Sequence, residues 1–204
     1  MISSKKKVVF LHVPKTGGNS IQNILVPYAD ENLVIRGEHQ DGIERFELSN
    51  PNSGNLTKHA SFSDYKAVYG GELSDFYVFC CIRNPFDRLV SYFFSPHRGK
   101  VKWSPSAFRK FVRSGEVKPL EHFLKDPDTG QYIKPHSIIR FETLQGDFER
   151  VCDEIGIPRC TLPVRNKSSK PDYRECYDRA LMRYVESTYS TEIELGDYRF
   201  ADDL

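Results

Sequence analysis

The stretch from Val8 to Ile24 constrains the fold of this chain more than any other part of the sequence. It opens with an apolar run in which β-branched residues are frequent, and such a run predicts a buried strand: Val8, Val9, Phe10, Leu11, Val13. Pro14 ends the run, and a polar turn that contains two glycines follows. Apolar residues at helical spacing then predict a helix, with Asn19 or Ser20 as its cap.

A strand, a glycine turn and a helix in this order direct free backbone N–H groups and the positive end of the helix at an anion. The nucleoside-triphosphate loop carries its lysine after the glycines, whereas here Lys15 precedes Gly17 and Gly18. Lys15 could therefore reach a group attached to the bound phosphate. A plain turn, in which glycine only provides backbone freedom, is the alternative; the polar residues around the glycines favour an anion site.

Length, charge and cysteine content limit the class of protein. A chain of 204 residues predicts one domain over positions 1–204, and a formal net charge of +1 gives no argument for a nucleic-acid or membrane partner. The apolar run before Pro14 is too short for a signal or membrane segment, so we expect a cytoplasmic protein without a membrane span, with a trimmed catalytic domain as the alternative. Five cysteines favour reduced thiols, and a Cys152–Cys160 bridge is left open.

A second motif follows the apolar run Phe76–Ile82, which is typical of a central parallel strand. Arg83 stands at the end of this strand, Pro85 suits the first turn of a helix, and Ser91 lies two turns further on. A guanidinium forms paired, charge-assisted hydrogen bonds with phosphate oxygens, and a hydroxyl adds another. The alternatives are a surface ion pair for Arg83 and, for Ser91, a hydrogen bond to the backbone of its own helix.

Strands that alternate with helices predict a three-layer α/β domain with a mainly parallel central sheet flanked by helices. Ligands of such folds bind at the carboxyl ends of the strands. Lys15 and Arg83 both follow predicted strands, so a single cofactor with phosphates at two positions would explain both motifs. The polar stretch from Gly37 to Lys58 predicts a loop.

The segment HVPKTGGNSI resembles the 5′-phosphosulfate loop of sulfotransferases that use 3′-phosphoadenosine 5′-phosphosulfate (PAPS), with Asn19 in place of the usual threonine. The likeness is to the carbohydrate branch, the heparan sulfate 2-O-like enzymes of sulfotransferase family 2. RNPFDRLVSYF resembles the motif in which Arg83 and Ser91 would hold the 3′-phosphate. The resemblance implies a P-loop-like domain that takes PAPS, releases 3′-phosphoadenosine 5′-phosphate (PAP) and sulfates a hydroxyl acceptor, preferably a glycan, without a metal.

The same resemblance implies roles for individual residues. Lys15 would neutralise charge on the bridging oxygen, and His59, in a His-Ala-x-Phe setting, would be the general base. A surface or capping histidine is the alternative for His59. The remaining implied cofactor ligands are Thr16, Gly17, Gly18, Asn19 and Ser20 of the loop, and Lys167 and Ser168 of a later Asn-Lys-Ser segment that could also be a solvated linker.

Two other functions remain open at this point. One is a phosphotransferase with an atypical P-loop, which would require magnesium ligands that the sequence does not reveal. The other is a non-catalytic module that binds a phosphoadenosine nucleotide or an acidic glycan.

Overall fold

The computed structural model describes residues 1–35, 46–49, 56–95, 99, 101–163 and 170–200. The chain divides into two compact units, each made of two separate stretches of sequence. Unit 1 comprises Met1–Cys81 and Glu121–Lys167, and unit 2 comprises Ile82–Leu120 and Ser168–Leu204. The single domain expected over 1–204 stays a prediction.

The sheet of unit 1 has the strand order β1-β2-β5-β6, with β1 at Ile2–Ser3, β2 at Val8–Leu11, β5 at Tyr77–Ile82 and β6 at Ser137–Arg140. Strand β1 runs antiparallel to β2, and β2 runs parallel to β5 with Val9 opposite Val78. The apolar sequence of β2 and β5 suits strands that are covered on both faces. The predicted α/β class, with a mainly parallel sheet flanked by helices, is confirmed.

A second, two-stranded antiparallel sheet pairs β3 (Asn32–Ile35) with β4 (Phe46–Ser49). The prediction of a loop from Gly37 to Lys58 is therefore wrong over β4. A hydrogen-bonded partner strand stabilises β4, and local composition does not reveal such a partner.

Helices α1 (Gly18–Leu25), α2 (Phe62–Tyr69) and α6 (Leu144–Ile155) belong to unit 1, and α5 (Leu120–Leu124) begins at the last residue of the first stretch of unit 2. Apolar side chains of the sheet, α1 and α6 form one core, which includes Val8, Phe10, Ile21, Leu25, Phe79, Ile139, Phe148, Val151 and Ile155. This core fixes α1 directly behind the end of β2 and so positions the turn between them.

Unit 2 contains α3 (Pro85–Phe93), α4 (Pro105–Arg113), α7 (Arg179–Thr188) and α8 (Ser190–Gly196). Its core is rich in aromatic residues, among them Phe86, Phe93, Phe108, Phe111, Tyr173 and Tyr189. Arg88 and Glu192 form an ion pair of 3.2 Å inside this unit, each with 1% of its side chain exposed. A second bond from Arg88 to the Lys118 carbonyl completes the environment of the buried guanidinium.

All five cysteines are free thiols, so Cys152 and Cys160 do not form a bridge in this structure. Within the described residues, none of the helices has the length and apolar character required to cross a bilayer.

Candidate cofactor and catalytic site

The turn between β2 and α1 has an alternating backbone. Lys15 and Gly17 have positive φ angles of 68° and 83°, and Thr16 between them does not. Gly17 is the N-cap of α1 and the cap makes no side-chain hydrogen bond, so the prediction of Asn19 or Ser20 as cap is wrong. The left-handed glycine begins the helix earlier than the apolar spacing indicated. The N–H groups that precede Ser20 have no acceptor within the helix, which is the arrangement that suits an anion, whereas the Ser20 N–H donates to the Gly17 carbonyl.

The two glycines are enclosed by other parts of unit 1. A Cβ atom on Gly17 would lie 3.0 Å from side-chain carbons of both Phe141 and Leu144. A Cβ atom on Gly18 would lie 2.1 Å from Cδ2 of His12. Both positions therefore require glycine, because the turn backbone is in close contact with side chains on each side.

Polar side chains within the turn have distinct tasks. Thr16 is fully buried and its hydroxyl donates to the Val13 carbonyl at 2.7 Å. This hydrogen bond uses the hydroxyl hydrogen of Thr16 within the turn. The group of Thr16 that can bind an anion is therefore its backbone N–H. The Ser20 N–H donates to the Gly17 carbonyl at 3.0 Å, so Ser20 would contribute through its hydroxyl.

Asn19 is the polar residue of the turn whose hydrogen-bonding capacity is not used internally. Its Oδ1 is buried and has no hydrogen-bond partner among the described residues. A 180° rotation of the amide would place the NH₂ group, with two donors, at the same position. After this rotation, the NH₂ group would be a buried donor without a partner at the start of the helix, and a bound anion would satisfy it.

His59 lies in the turn before α2 and is half-buried. Its Nδ1 is 2.9 Å from the carbonyl oxygen of His12. A carbonyl only accepts, so Nδ1 carries the hydrogen, and Nε2 is the nitrogen of the neutral ring that can take a proton. This is the tautomer that a general base requires when Nε2 faces the acceptor hydroxyl.

His12 connects the candidate base with the glycine turn. Its ring centroid lies 4.5 Å from that of His59, and its Cδ2 edge faces Gly18. Burial lowers the pKa of His12 well below its usual value, and positive charge on His59, when that ring is protonated, and on Lys58 lowers it further. His12 is therefore a neutral spacer between the two predicted site elements of unit 1.

The second motif lies in unit 2, where Arg83 is 8% exposed and Ser91 is 2% exposed. The Nε atom of Arg83 donates to Oδ2 of Asp87 at 2.8 Å, and the Lys170 ammonium pairs with the other oxygen of the same carboxylate. Asp87 and Ser91 are one helical turn apart on α3. Asp87 and Ser91 thus share one side of α3, and Arg83, which precedes the helix, and Lys170 both reach the Asp87 carboxylate.

A model of the Sulfotransferase family matches residues 1–199. The chain belongs to this family. As a member it is a PAPS-dependent transferase. Among curated proteins, the chain is similar to carbohydrate sulfotransferase 10 of Gallus gallus, with 25% identity over 251 residues that cover 100% of this chain and 67% of that protein. No solved structure matches the chain significantly.

The residues of this sulfotransferase fit the donor that the family implies. The glycine turn leaves no room for a Cβ atom at Gly18, the amide of Asn19 lacks a partner in the described structure, and the start of α1 offers backbone donors. Two of the predicted ligands, Lys167 and Ser168, lie outside the described residues. Within the described ranges, no group of three or more His, Cys, Asp or Glu side chains could hold a metal ion.

Reasoning from the sequence missed three residues of this sulfotransferase that contact the predicted site residues. His12 had one available signal, because it is a polar residue at the end of an otherwise apolar strand. Asp87 also had a signal, since it follows Arg83 at helical spacing and can pair with it. Lys170 had none, because its contact with Asp87 joins residues that are far apart in the sequence.

Proposed function

We propose that this protein transfers the sulfuryl group of PAPS to a hydroxyl group of a carbohydrate. The observation that carries the proposal is the connection, inside unit 1, of the Lys15 glycine turn with His59 through His12. Family membership supports the donor. The carbohydrate acceptor is supported by the likeness to a protein named carbohydrate sulfotransferase.

PAPS, when bound, supplies an activated sulfuryl group on a phosphate leaving group. The N–H groups at the start of α1 and the Asn19 amide would hold the 5′-phosphate. The Lys15 ammonium would neutralise the negative charge that develops on the leaving oxygen. Nε2 of His59 would accept the proton of the acceptor hydroxyl, so that the hydroxyl oxygen attacks sulfur as its O–H bond breaks.

Arg83 and Ser91 are proposed to hold the 3′-phosphate, which distinguishes PAPS from ATP. Asp87 orients the Arg83 guanidinium, and Lys170 would add charge for the same phosphate. Lys167 and Ser168 remain further proposed ligands. The absence of a metal requirement and a cytoplasmic location also remain proposals.

Calorimetric binding of PAP, in the presence of a chelator and beside AMP and ATP, tests the donor assignment. We expect PAP to bind at least about tenfold more tightly than AMP, because a charge-assisted pair contributes more than about 1.4 kcal/mol. Arg83→Ala should remove this preference. Arg159→Ala, which deletes an exposed arginine paired with Asp153, is the matched control. Equal affinity for PAP and AMP in the wild type would refute the assignment.

Turnover with PAPS and a panel of acceptors tests the reaction. His59→Ala should lower kcat by about 10²–10⁴-fold while PAP affinity is retained, because the base acts on the acceptor and not on the nucleotide. Carbohydrate acceptors should be sulfated and tyrosine peptides should not. A wild type that binds PAP but sulfates no acceptor would indicate a binding module, and metal-dependent ATP turnover would indicate a phosphotransferase.

A further inference from the structure

Three segments of unit 1 meet at the side chain of Gln22. Oε1 of Gln22 accepts a hydrogen bond from Nδ1 of His12 at 2.9 Å, at the end of β2. The Nε2 of Gln22 donates to the carbonyl of Lys58 at 3.4 Å, in the turn that carries His59. His59 in turn donates from Nδ1 to the carbonyl of His12 at 2.9 Å. The strand end, helix α1 and the base-bearing turn therefore form a closed circuit of hydrogen bonds.

Gln22 is deeply buried, with no exposed surface, between Ile21 and the partly buried Asn23 on α1. A buried amide is costly unless its donor and acceptor are both satisfied. Both ends of this amide point to groups that surround His59, and neither end serves the helix backbone. The two hydrogen bonds of the Gln22 side chain therefore fix the position of the glycine turn relative to His59.

The circuit has a specific effect on His59. Gln22 bonds the Lys58 carbonyl, in the residue before His59, and it also bonds the ring of His12, whose backbone carbonyl accepts from His59. Gly18 lies against the other edge of the His12 ring. The ring of Phe10 stacks on it with an interplanar angle of 12°. The carbonyl of a fixed His12 selects the Nδ1–H tautomer of His59 and keeps Nε2 as the basic nitrogen.

We propose that Gln22 is a positioning residue that, through His12 and Lys58, holds His59 in the tautomer and orientation of a general base. This inference rests on the proposed function, because the role of His59 as base is part of that function. It adds a residue on α1 that contacts neither PAPS nor the acceptor substrate but determines the orientation and tautomer of His59.

The test compares Gln22→Met, which keeps the length and removes both hydrogen bonds, with Gln145→Met. Gln145 is a matched control, since its side chain also bonds the backbone of another segment of unit 1, donating to the Cys160 carbonyl and accepting from the Leu162 N–H. We expect Gln22→Met to lower kcat about tenfold with PAP affinity changed less than about threefold, since mispositioning removes part of the base contribution. Gln145→Met should leave kcat unchanged.

Histidine tautomers provide a readout that does not depend on activity. Two-bond ¹H–¹⁵N spectra, with His59 assigned through a His59→Asn variant, should show Nδ1–H in the wild type and a mixture of tautomers in Gln22→Met. An Nε2–H wild type overturns the inference even if the variant fails to fold. A Gln22→Met protein with wild-type kcat and tautomer also overturns it. If the wild type sulfates no acceptor, the proposed function fails, and the spectra alone decide the role of Gln22.

Discussion

Replacing Gly18 by alanine tests the closest contact in the glycine turn. The new Cβ atom would lie 2.1 Å from Cδ2, 2.5 Å from Nε2 and 2.8 Å from Cγ of His12, where ordinary contact begins at 3.4 Å. The imidazole cannot easily move away, because it is 3% exposed, stacks on Phe10 and bonds Gln22. Either the ring is expelled or the start of α1 is displaced.

The expected cost follows from these contacts. Overpacking of a core costs about 1–3 kcal/mol, and a broken His12–Gln22 bond leaves buried polar groups that add about 1–3 kcal/mol. The gain in helix propensity from glycine to alanine is at most about 1 kcal/mol. After subtraction of this gain, we expect Gly18→Ala to lower the free energy of unfolding by about 1–5 kcal/mol. For a chain of this length, each kcal/mol corresponds to a Tm decrease of about 2–4 °C.

Gly146→Ala is the matched control, because Gly146 lies in α6 and its Cβ atom would meet nothing within 4 Å. It should stabilise the protein by about 0.5–1 kcal/mol. Urea unfolding, followed by calorimetric binding of PAP, compares the two variants. A Gly18→Ala protein as stable as the wild type would show that the His12 ring moves freely, and the reasoning about the turn and about Gln22 would be refuted.

Three further predictions concern charge and thiols. Arg88→Met should destabilise unit 2 by about 3–5 kcal/mol in urea unfolding, because it leaves the buried Glu192 carboxylate without its counter-charge. The double variant Arg88→Met with Glu192→Leu should recover most of this loss. An Arg88→Met protein with wild-type stability would contradict the prediction. Folding lowers the pKa of His12, so below the usual pKa of 6.5 the unfolded chain binds a proton that the folded protein does not. The free energy of unfolding should therefore fall as pH decreases below about 6.5, by up to about 1.4 kcal/mol per pH unit. His12→Phe should lack this component, and an identical pH profile would refute the assignment. Burial raises the pKa of Cys81 well above its usual value and that of Cys152 to about 11. Iodoacetamide should therefore modify the half-buried Cys160 first in the native protein, as measured by mass spectrometry. Modification of Cys81 at the same rate as Cys160 would contradict the burial of Cys81.

Strands β2 and β5 and the helices that follow them, α1 and α3, can be predicted from local pattern. Continuous apolar runs predicted β2 and β5. Ser104 followed by Pro105 is typical of a helix start, and α4 begins there, with the Ser104 side chain accepting from the Ala107 N–H. These elements were accessible because burial of a continuous apolar run and helix capping depend on neighbours in sequence. Strand β4 was missed because its stability comes from β3, which is a partner and not a neighbour.

The sequence by itself determined which polar residues follow two of the strands. One strand is followed by a turn with a lysine and two glycines, and the other by an arginine with a serine eight residues later. Spacing along the chain is sufficient for this, since each motif lies within one strand-to-helix connection. Only the tertiary structure decided how the groups are held. The sequence did not reveal the place of His12 between Gly18 and His59, the bonds of Gln22 to His12 and Lys58, or Asp87 as the shared partner of Arg83 and Lys170. These roles arise from contacts between distant segments, where burial makes an unsatisfied polar group costly and so fixes its partner.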